Sequence, residues 1–476
     1  MTEFTIVQLN DLHGYVEPHP EWLWTANGFE YRVMGGLARI KTLVRQIRAD
    51  DPYVLFADNG DTFHGTRPVV ESKGELLLPL LKELDLHAMT GHWDFAYGPG
   101  HLQELSAALP YPFLAANVYE RDSDRLVFPP VTRVDLGPIC VGIVGLACNI
   151  VDKVMPPHFS EGVRFTTGED ELPHYIAQLR GPEHCDVVVL LSHLGLPQDL
   201  ELLTRVPGVD VCLSSHTHHR LERPVMRNGS IVIQSGCHGS FLGKLKLGYK
   251  NGRVELLAHE LVHVDEAVEP NPTMQALIDS ALDGVEVKDS TVGTTPAALH
   301  RATMLESPAD NLLLHAMRAA TGSELAFING WRYGAPIPPG PITEEALFNF
   351  APMNPEITTV RLSGSELRDM IEENLERTFS RDVFGQMGGY IKRCGGMKTY
   401  FKVEDPKGSR VQAIFVGDEP LDPARDYSAA YVTMQAVPEK YGSDRVDTGK
   451  HLVEAAVQYL ASQPTHFGEE LSFVEV

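Results

Sequence analysis

Aspartate and histidine fall into four short motifs over the first 218 residues: Asp11-Leu12-His13, Gly60-Asp61, Ser192-His193 and His216-Thr217-His218. A fifth piece, Gly91-His92-Trp93-Asp94, stands where one more ligand would be needed. Carboxylates mixed with imidazoles suit borderline divalent ions such as Zn, Mn, Ni or Fe better than Ca or Mg. Asp11, His13, Asp61, His92, His193, His216 and His218 outnumber the three or four ligands that one catalytic ion takes. Two divalent metal ions sharing a carboxylate resolve the count, with Mn or Zn the expected pair. Asp61, isolated in Asn59-Gly60-Asp61-Thr62, is the candidate bridge. Asp11, His13 and His218 then complete one ion, and His92, His193 and His216 the other. Two dications against two carboxylates leave a positive pocket for a small anionic substrate. The chemistry expected there is a bridging hydroxide of lowered pKa attacking a tetrahedral centre in line, with ions about 3.5 to 4 Å apart.

Such residues act together only if secondary structure gathers them. Phe4–Leu9, Tyr53–Ala57, Leu86–Met89, Asp186–Leu191 and Val209–Leu213 are short, nearly continuous apolar runs, as expected of strands buried on both faces. Each motif lies just past a strand's carboxyl end, where layered α/β folds collect ligands. Gly36 to Ile47 reads as an amphipathic helix, with Leu37, Ile40, Leu43, Val44 and Ile47 at helical spacing. Ser230–Gly236 and Gly243–Tyr249, with the Asn251-Gly252 turn, read as antiparallel strands closing a sandwich. Glu269-Pro270-Asn271-Pro272 starts a connector and Met274 to Leu282 a linking helix. The expected division is therefore a metal-carrying domain over 1–265, a linker with a helix over 266–291, and a second domain over 292–476.

Asn10-Asp11-Leu12-His13-Gly14, Gly35-Gly36-Leu37-Ala38-Arg39, Asn59-Gly60-Asp61-Thr62, Leu191-Ser192-His193-Leu194-Gly195 and Ser215-His216-Thr217-His218 resemble the metallophosphoesterase domain of the 5'-nucleotidase family. Asn329-Gly330-Trp331-Arg332, Ile337–Thr343 and Val360-Arg361-Leu362-Ser363-Gly364 resemble that family's substrate-binding C-terminal domain. The resemblance implies a four-layer α/β/β/α sandwich followed by a smaller α/β domain, and hydrolysis of a phosphate ester, nucleotide-like, by a metal-bridging hydroxide.

Two departures bear on the substrate. Family nucleotidases carry Gly-Asn-His-Glu where this chain has Gly91-His92-Trp93-Asp94. An imidazole can replace the amide as ligand. An indole cannot replace the second imidazole as proton donor to an oxyanion, because it does not titrate and has a single N–H. After Tyr431-Val432 the chain reads Thr433-Met434-Gln435-Ala436 in place of the phenylalanine and glycine-rich loop that clamp the base. SoxB-type thiosulfohydrolases, which release sulfate from a carrier-bound cysteine S-thiosulfonate, have a similar Gly-His-Trp segment. Arg332-Tyr333-Gly334, Gln386–Tyr390 and Arg393-Cys394-Gly395-Gly396 also look closer to that branch. The alternatives are thus a SoxB-like thiosulfohydrolase, with a protein carrier as partner, and a non-catalytic metal- or ligand-binding relative.

Further candidates are more local. His64, three residues past Asp61, is either a substitute general acid or a loop histidine. Asn117, in Ala115-Ala116-Asn117-Val118, matches the family's strand-end asparagine and either orients the substrate oxyanion or caps a turn. Arg332 is the best anion clamp of the second domain, since a guanidinium grips phosphate or sulfate in bidentate fashion. Asn329 in the same motif and Arg393 are further substrate-binding candidates. His238, after a strand of the first domain, is structural or supports a ligand.

Length allows two or three domains, and 43% apolar content is ordinary for globular chains. A formal charge of -24 argues against nucleic acid as a partner, since polyanion binding wants basic patches. No apolar run approaches the roughly 20 residues of a membrane helix. Met1-Thr2-Glu3 leads straight into a strand with no export signal, so the chain as it stands reads as cytoplasmic, or as periplasmic if a leader was removed. Six cysteines without a Cys-x-x-Cys pair fit reduced thiols.

Overall fold

The computed structural model describes residues 1–286, 288–462 and 471–476. They form two compact units, Met1–Val285 and Glu286–Val476.

The first unit is built on two sheets. One runs Arg253–His263, Phe241–Lys250, Thr2–Leu9, Val54–Asp58, Ala88–Met89, and the other Val225–Arg227, Ser230–Ile233, Val211–Leu213, Val187–Ser192, Cys140–Leu146, Val131–Asp135. Alternation along each strand divides its side chains between two layers. Phe4, Ile6, Leu55 and Ala57 meet Val141, Ile143, Val187, Val189, Leu191, Val211 and Leu213 in one apolar core between the sheets. Val7, Leu9 and Phe56, at the intervening positions, are equally buried. That two-sided burial explains why the central strands read as unbroken apolar runs. The helix Leu37–Asp50 presents Leu37, Ile40, Val44 and Ile47 as its buried face, as the spacing predicts.

Thr2–Leu9 pairs in parallel with Val54–Asp58, which pairs in parallel with Ala88–Met89. In the second sheet Val187–Ser192 is parallel to both Cys140–Leu146 and Val211–Leu213. The parallel register sets Leu9 beside Asp58 and Asp58 beside Met89, and sets Leu191 beside both Gly145 and Leu213. Within each sheet the loops that follow therefore leave from the same edge.

The two runs expected as antiparallel strands lie in different sheets: Ser230–Ile233 pairs antiparallel with Val225–Arg227 and in parallel with Val211–Leu213, and Phe241–Lys250 pairs antiparallel with Thr2–Leu9. The Asn251-Gly252 turn does form a hairpin, between Phe241–Lys250 and Arg253–His263, with both residues at positive φ. The expected linking helix spans Pro272–Leu282 and is capped by Asn271, whose Oδ1 accepts from the Met274 N–H at 3.0 Å. Met274 and Ile278 are buried, and the helix packs on Leu37–Asp50 and Leu78–Leu84, so it belongs to the first unit. An unanticipated hairpin, His19–Thr25 with Gly28–Met34, follows the first metal motif.

In the second unit a mixed sheet runs Tyr390–Gly395, Leu325–Gly330, Asp426–Tyr431, Glu356–Ser363, Ser443–His451. The helix Gly364–Phe379 starts at a full capping box: Ser363 accepts from the Glu366 N–H, and the Glu366 side chain returns to the Ser363 N–H. It buries Leu367, Met370, Ile371 and Leu375 in a core shared with Leu325, Phe327, Val360 and Leu362. All six cysteines are buried free thiols. No helix of the described residues is long and apolar enough to cross a membrane.

Candidate metal centre

The strand-end loops bring the sequence motifs into two sets. Asp11, His13, Asp61 and His218 form one, and Asp61, His92, His193 and His216 the other; within each, one ligand atom per residue lies within 4.8 Å of the rest. Asp61 is common to both. His193 Nε2 is 3.3 Å and His13 Nε2 3.6 Å from Asp61 Oδ2, while His92 Nδ1 is 3.6 Å from Oδ1. On the other flank His218 Nε2 lies 3.3 Å from Asp11 Oδ1.

These separations are too long for good charge-assisted hydrogen bonds and suit side chains arranged around cations. Both ring nitrogens of His92, 3% exposed, are buried without a hydrogen-bond partner among the described residues. A buried polar atom left so costs about 1 to 3 kcal/mol, which a bound divalent ion removes. The residues present thus fit the pair of ions that their types imply.

The electrostatics agree. Against burial, which alone would raise it, His193 and His92 hold the Asp61 carboxyl well below the usual carboxylate range. The Asp11 carboxyl is likewise lowered, burial being outweighed by His218 beside it. His193 is raised to about 10, because the nearby Asp61 and Asp11 overcome its burial. His13, where burial dominates, falls to about 3. Two ionised carboxylates attracting positive charge from one imidazole mark a site that asks for cations.

Orientation comes from partners behind the ligands. His193 Nδ1 faces the Asn59 carbonyl at 2.6 Å, which fixes the proton there and leaves Nε2 for a metal. Asn59 itself ties the sheets together: its Nδ2 donates to Ser192 O at 3.0 Å and Leu213 O at 2.6 Å, and its Oδ1 accepts from Gln8 at 2.9 Å. Asp11 Oδ2 accepts from Asn10 and from Ser215, each at 2.6 Å. Asp11, His13, Asp61, His216 and His218 all have φ between +48 and +69°. The left-handed conformation costs a non-glycine residue roughly 1 kcal/mol or more, and here surrounding hydrogen bonds hold it. Gly60, at φ +90°, permits the close crossing of two metal loops: a Cβ there would lie 2.2 Å from the Thr90 carbonyl oxygen.

Asp94 is an organiser that the sequence motifs do not announce. Its Oδ2 accepts from the Asp61 N–H at 2.8 Å and the His92 N–H at 3.1 Å, and its Oδ1 from the Thr62 N–H at 2.9 Å and the Phe63 N–H at 3.0 Å. One buried carboxylate thereby fixes the loops that carry Asp61 and His92. Asp94→Asn turns an NH₂ toward two backbone N–H groups. The expected result is a loss of about 2 to 3 kcal/mol in urea unfolding, with weaker metal retention on dialysis.

The other expected residues are placed as follows. His64 is 1% exposed and stacks on Trp93 at 4.8 Å, and burial holds its imidazole down at about 3. Trp93 packs also against Phe159 and donates its backbone N–H to Asp61 Oδ1 at 2.6 Å. Asn117 has its amide committed: Nδ2 donates to Ala147 O at 2.8 Å and Thr166 O at 2.9 Å, and Oδ1 accepts from the Ala147 N–H at 2.9 Å. Of the two roles expected for Asn117, these bonds are those of a side chain that ties loops together.

Within the second unit, Arg332 donates to the Gly389 carbonyl at 2.9 Å and lies over the Tyr390 ring. Asn329 bonds to Gln435 and accepts from Thr433 at 3.1 Å. Arg393 departs from the anion-clamp expectation. It is 2% exposed, and its guanidinium is spent on Asp310 Oδ2 at 3.0 Å, Thr303 O at 2.7 Å and Met304 O at 2.5 Å. Arg301 grips the other Asp310 oxygen at 2.8 Å, so Asp310 joins two buried cations.

The chain is similar to known proteins along most of its length. The calcineurin-like phosphoesterase family model matches residues 4–220, and the 5'-nucleotidase C-terminal domain model matches residues 287–436. Protein UshA of Yersinia enterocolitica is 23% identical over 94% of this chain and 87% of its own length. A 5'-nucleotidase precursor from Thermus thermophilus matches at TM-score 0.87 and 25% identity, covering 100% of this chain and 99% of that one. The sulfate thiohydrolase SoxB of Thermus thermophilus matches at TM-score 0.91 over 99% of this chain and 96% of its own, at 24% identity, a likeness of fold. Since both domain models match in order and the Asp and His motifs converge in the first, the chain belongs to the family of hydrolytic enzymes that joins a calcineurin-like phosphoesterase domain to a 5'-nucleotidase C-terminal domain.

Proposed function

We propose that the protein hydrolyses a nucleotide-like phosphate monoester with two divalent ions, manganese or zinc. The single observation that carries this reading is the sharing of Asp61 between the two ligand sets. Asp11, His13, Asp61 and His218 would hold one ion, and Asp61, His92, His193 and His216 the other. When bound, such a pair supplies Lewis acidity toward a tetrahedral anion and lowers the pKa of water. The chain's own part is positional. The Asn59 carbonyl sets the His193 tautomer, the Trp93 N–H steadies Asp61, and Trp93 with Phe159 excludes water from one flank. Protonation of the leaving group falls to solvent, because burial keeps the His64 imidazole unprotonated. Arg332 and Asn329 are assigned to substrate binding within the second unit.

A second reading rests on Trp93. An indole where the family has a proton-donating imidazole favours a better leaving group than an alkoxide, as in a thiosulfohydrolase acting on a carrier-bound cysteine S-thiosulfonate. Phosphate release from p-nitrophenyl phosphate and nucleoside 5'-monophosphates, and ring opening of 2',3'-cyclic nucleotides to monophosphates, set against sulfate release from a cysteine S-thiosulfonate peptide, separate the two. Turnover of the 5'-monophosphates supports the first reading; sulfate release alone overturns it. Trp93→His is expected to raise nucleoside monophosphate hydrolysis about 10²-fold, the usual size of a general-acid contribution. An unchanged rate in the metal-loaded variant would contradict the role given to that position.

A further inference from the structure

His19, Glu21 and His238 form a third cluster outside the two ligand sets, each again offering one ligand atom within 4.8 Å of the others. All three are buried, at 7, 1 and 2% exposure. His19 and Glu21 stand two residues apart on the strand His19–Thr25 and so share a face. His238 lies in the turn between Ser230–Ile233 and Phe241–Lys250. Its backbone N–H donates to the Asp11 carbonyl at 2.7 Å, and its φ of +61° repeats the left-handed signature of the metal-set residues.

The donor atoms are prepared for a cation. His19 Nδ1 lies 3.2 Å from the Glu17 carbonyl oxygen, which can only accept, so the proton sits on Nδ1 and Nε2 keeps its lone pair. Glu21 Oε1 is taken by Arg220 at 2.9 Å and by the Trp22 N–H at 2.9 Å, which leaves Oε2 facing the cluster. Ser240 Oγ stands 3.2 Å from His19 Nε2 and 3.1 Å from Glu21 Oε2. One hydroxyl proton cannot serve both lone pairs. His238 Nδ1 is 3.4 Å from Glu21 Oε2, and His238 Nε2 is buried without a hydrogen-bond partner among the described residues. A purely hydrogen-bonded network therefore leaves at least one lone pair in this buried pocket without a proton. Burial keeps the His19 imidazole neutral, lowering it to about 4, and Arg220 outweighs burial to hold Glu21 ionised at about 2. Gly35, at φ +79°, makes room for the ring, since a Cβ there would lie 2.6 Å from His19 Cε1.

We propose that His19, Glu21 and His238 bind a third divalent cation, zinc, which pins the hairpin His19–Met34 to the loop carrying His238. Two imidazoles and one carboxylate with an open fourth position are a set that zinc takes readily. The His238 ring centroid lies 5.9 Å from that of His13 and 6.1 Å from that of His218, so an ion here would also steady the ring packed behind the Asp11 set.

The test uses the full chain, loaded with zinc and dialysed, with metal per protein measured by mass spectrometry. Wild type is expected to hold about three equivalents, and His19→Phe and Glu21→Gln one fewer each. Anomalous scattering at the zinc edge from wild-type crystals should place a peak among the three side chains, a readout that survives if a variant fails to fold. A wild-type chain without that peak, or a Glu21→Gln chain that folds and keeps the same equivalents, overturns the assignment. None of these readouts involves a substrate, so they stand or fall apart from the proposed hydrolysis.

Discussion

Replacing Asp61 with alanine is expected to strip both ions of the proposed dinuclear centre and to lower hydrolysis at least about 10³-fold. The reason is its shared position. Its carboxylate belongs to both ligand sets, with His193 and His13 near one oxygen and His92 near the other. Removing any other ligand weakens one set; removing Asp61 takes an oxygen from each. It also leaves two concentrations of positive charge without the anion between them. Several kcal/mol of charge stabilisation go with the ions, and about 1.4 kcal/mol is a factor of ten in rate. The readout is a drop of about two metal equivalents per chain, with far-UV circular dichroism unchanged. Retention of both ions would contradict the bridging assignment. His193→Ala, by comparison, should lose one ion and retain part of the other set.

Asp310→Ala is expected to produce the largest loss of stability, about 3 to 5 kcal/mol in the second unit. Asp310 has no measurable exposure and receives Arg301 Nε at 2.8 Å, Arg393 Nε at 3.0 Å and Ser307 Oγ at 2.8 Å. It also sits in the first turn of the helix Pro308–Thr321, where Ser307 caps its N–H. The alanine variant would leave two guanidinium groups buried with no anion, and breaking a buried pair from one side costs about this much. Arg393 is already lowered from its usual pKa by burial, with Asp310 the principal opposing influence. Hydrogen exchange over Leu325–Gly330 in the full chain should accelerate accordingly, while strands of the first unit keep their protection. Adding Arg393→Met to Asp310→Ala should recover part of the loss, because one of the stranded charges is then gone.

The distance between these residues and their motifs explains what can be read in advance. The gathering of Asp11, His13, Asp61, His92, His193, His216 and His218 is legible because residue type marks them as possible ligands and because parallel strands announce themselves as apolar runs. The partition into two sets around Asp61 follows from counting ligands. Asp94 is not legible as an organiser: its partners are four backbone N–H groups, and nothing in a sequence marks which amides a carboxylate will meet. Arg393 is legible as a cation but not as a committed one, since its partner Asp310 is 83 residues away. The same holds for Asn117, whose amide is used by Ala147 and Thr166. The hairpin His19–Met34 escapes because its first strand carries Pro20, buries the polar His19 and Glu21, and leaves Trp24 exposed, the reverse of the usual apolar-in, polar-out pattern. The parallel neighbour of Ser230–Ile233 on its other side escapes because a short apolar strand does not declare the direction of both its neighbours.

The positive φ values at five of the proposed ligands belong to the same class of hidden information. Asp and His tolerate that region better than branched residues, but only the folded backbone shows that they occupy it. These strained turns point the side chains inward from successive strand ends, and the network of Asn59, Asp94 and Asn10 holds them there. Site and fold are thus stabilised by the same hydrogen bonds, which ties metal retention to the integrity of the two sheets.

The most direct test of the central claim is phosphate release from adenosine 5'-monophosphate by the chelator-stripped chain, followed as manganese or zinc is added back. No release is expected without metal, and recovery is expected as the Asp61-sharing sets fill, with Asp61→Ala inactive at every metal concentration. A metal-loaded wild-type chain that releases no phosphate, or a stripped chain that releases it at an undiminished rate, would contradict the dinuclear hydrolysis.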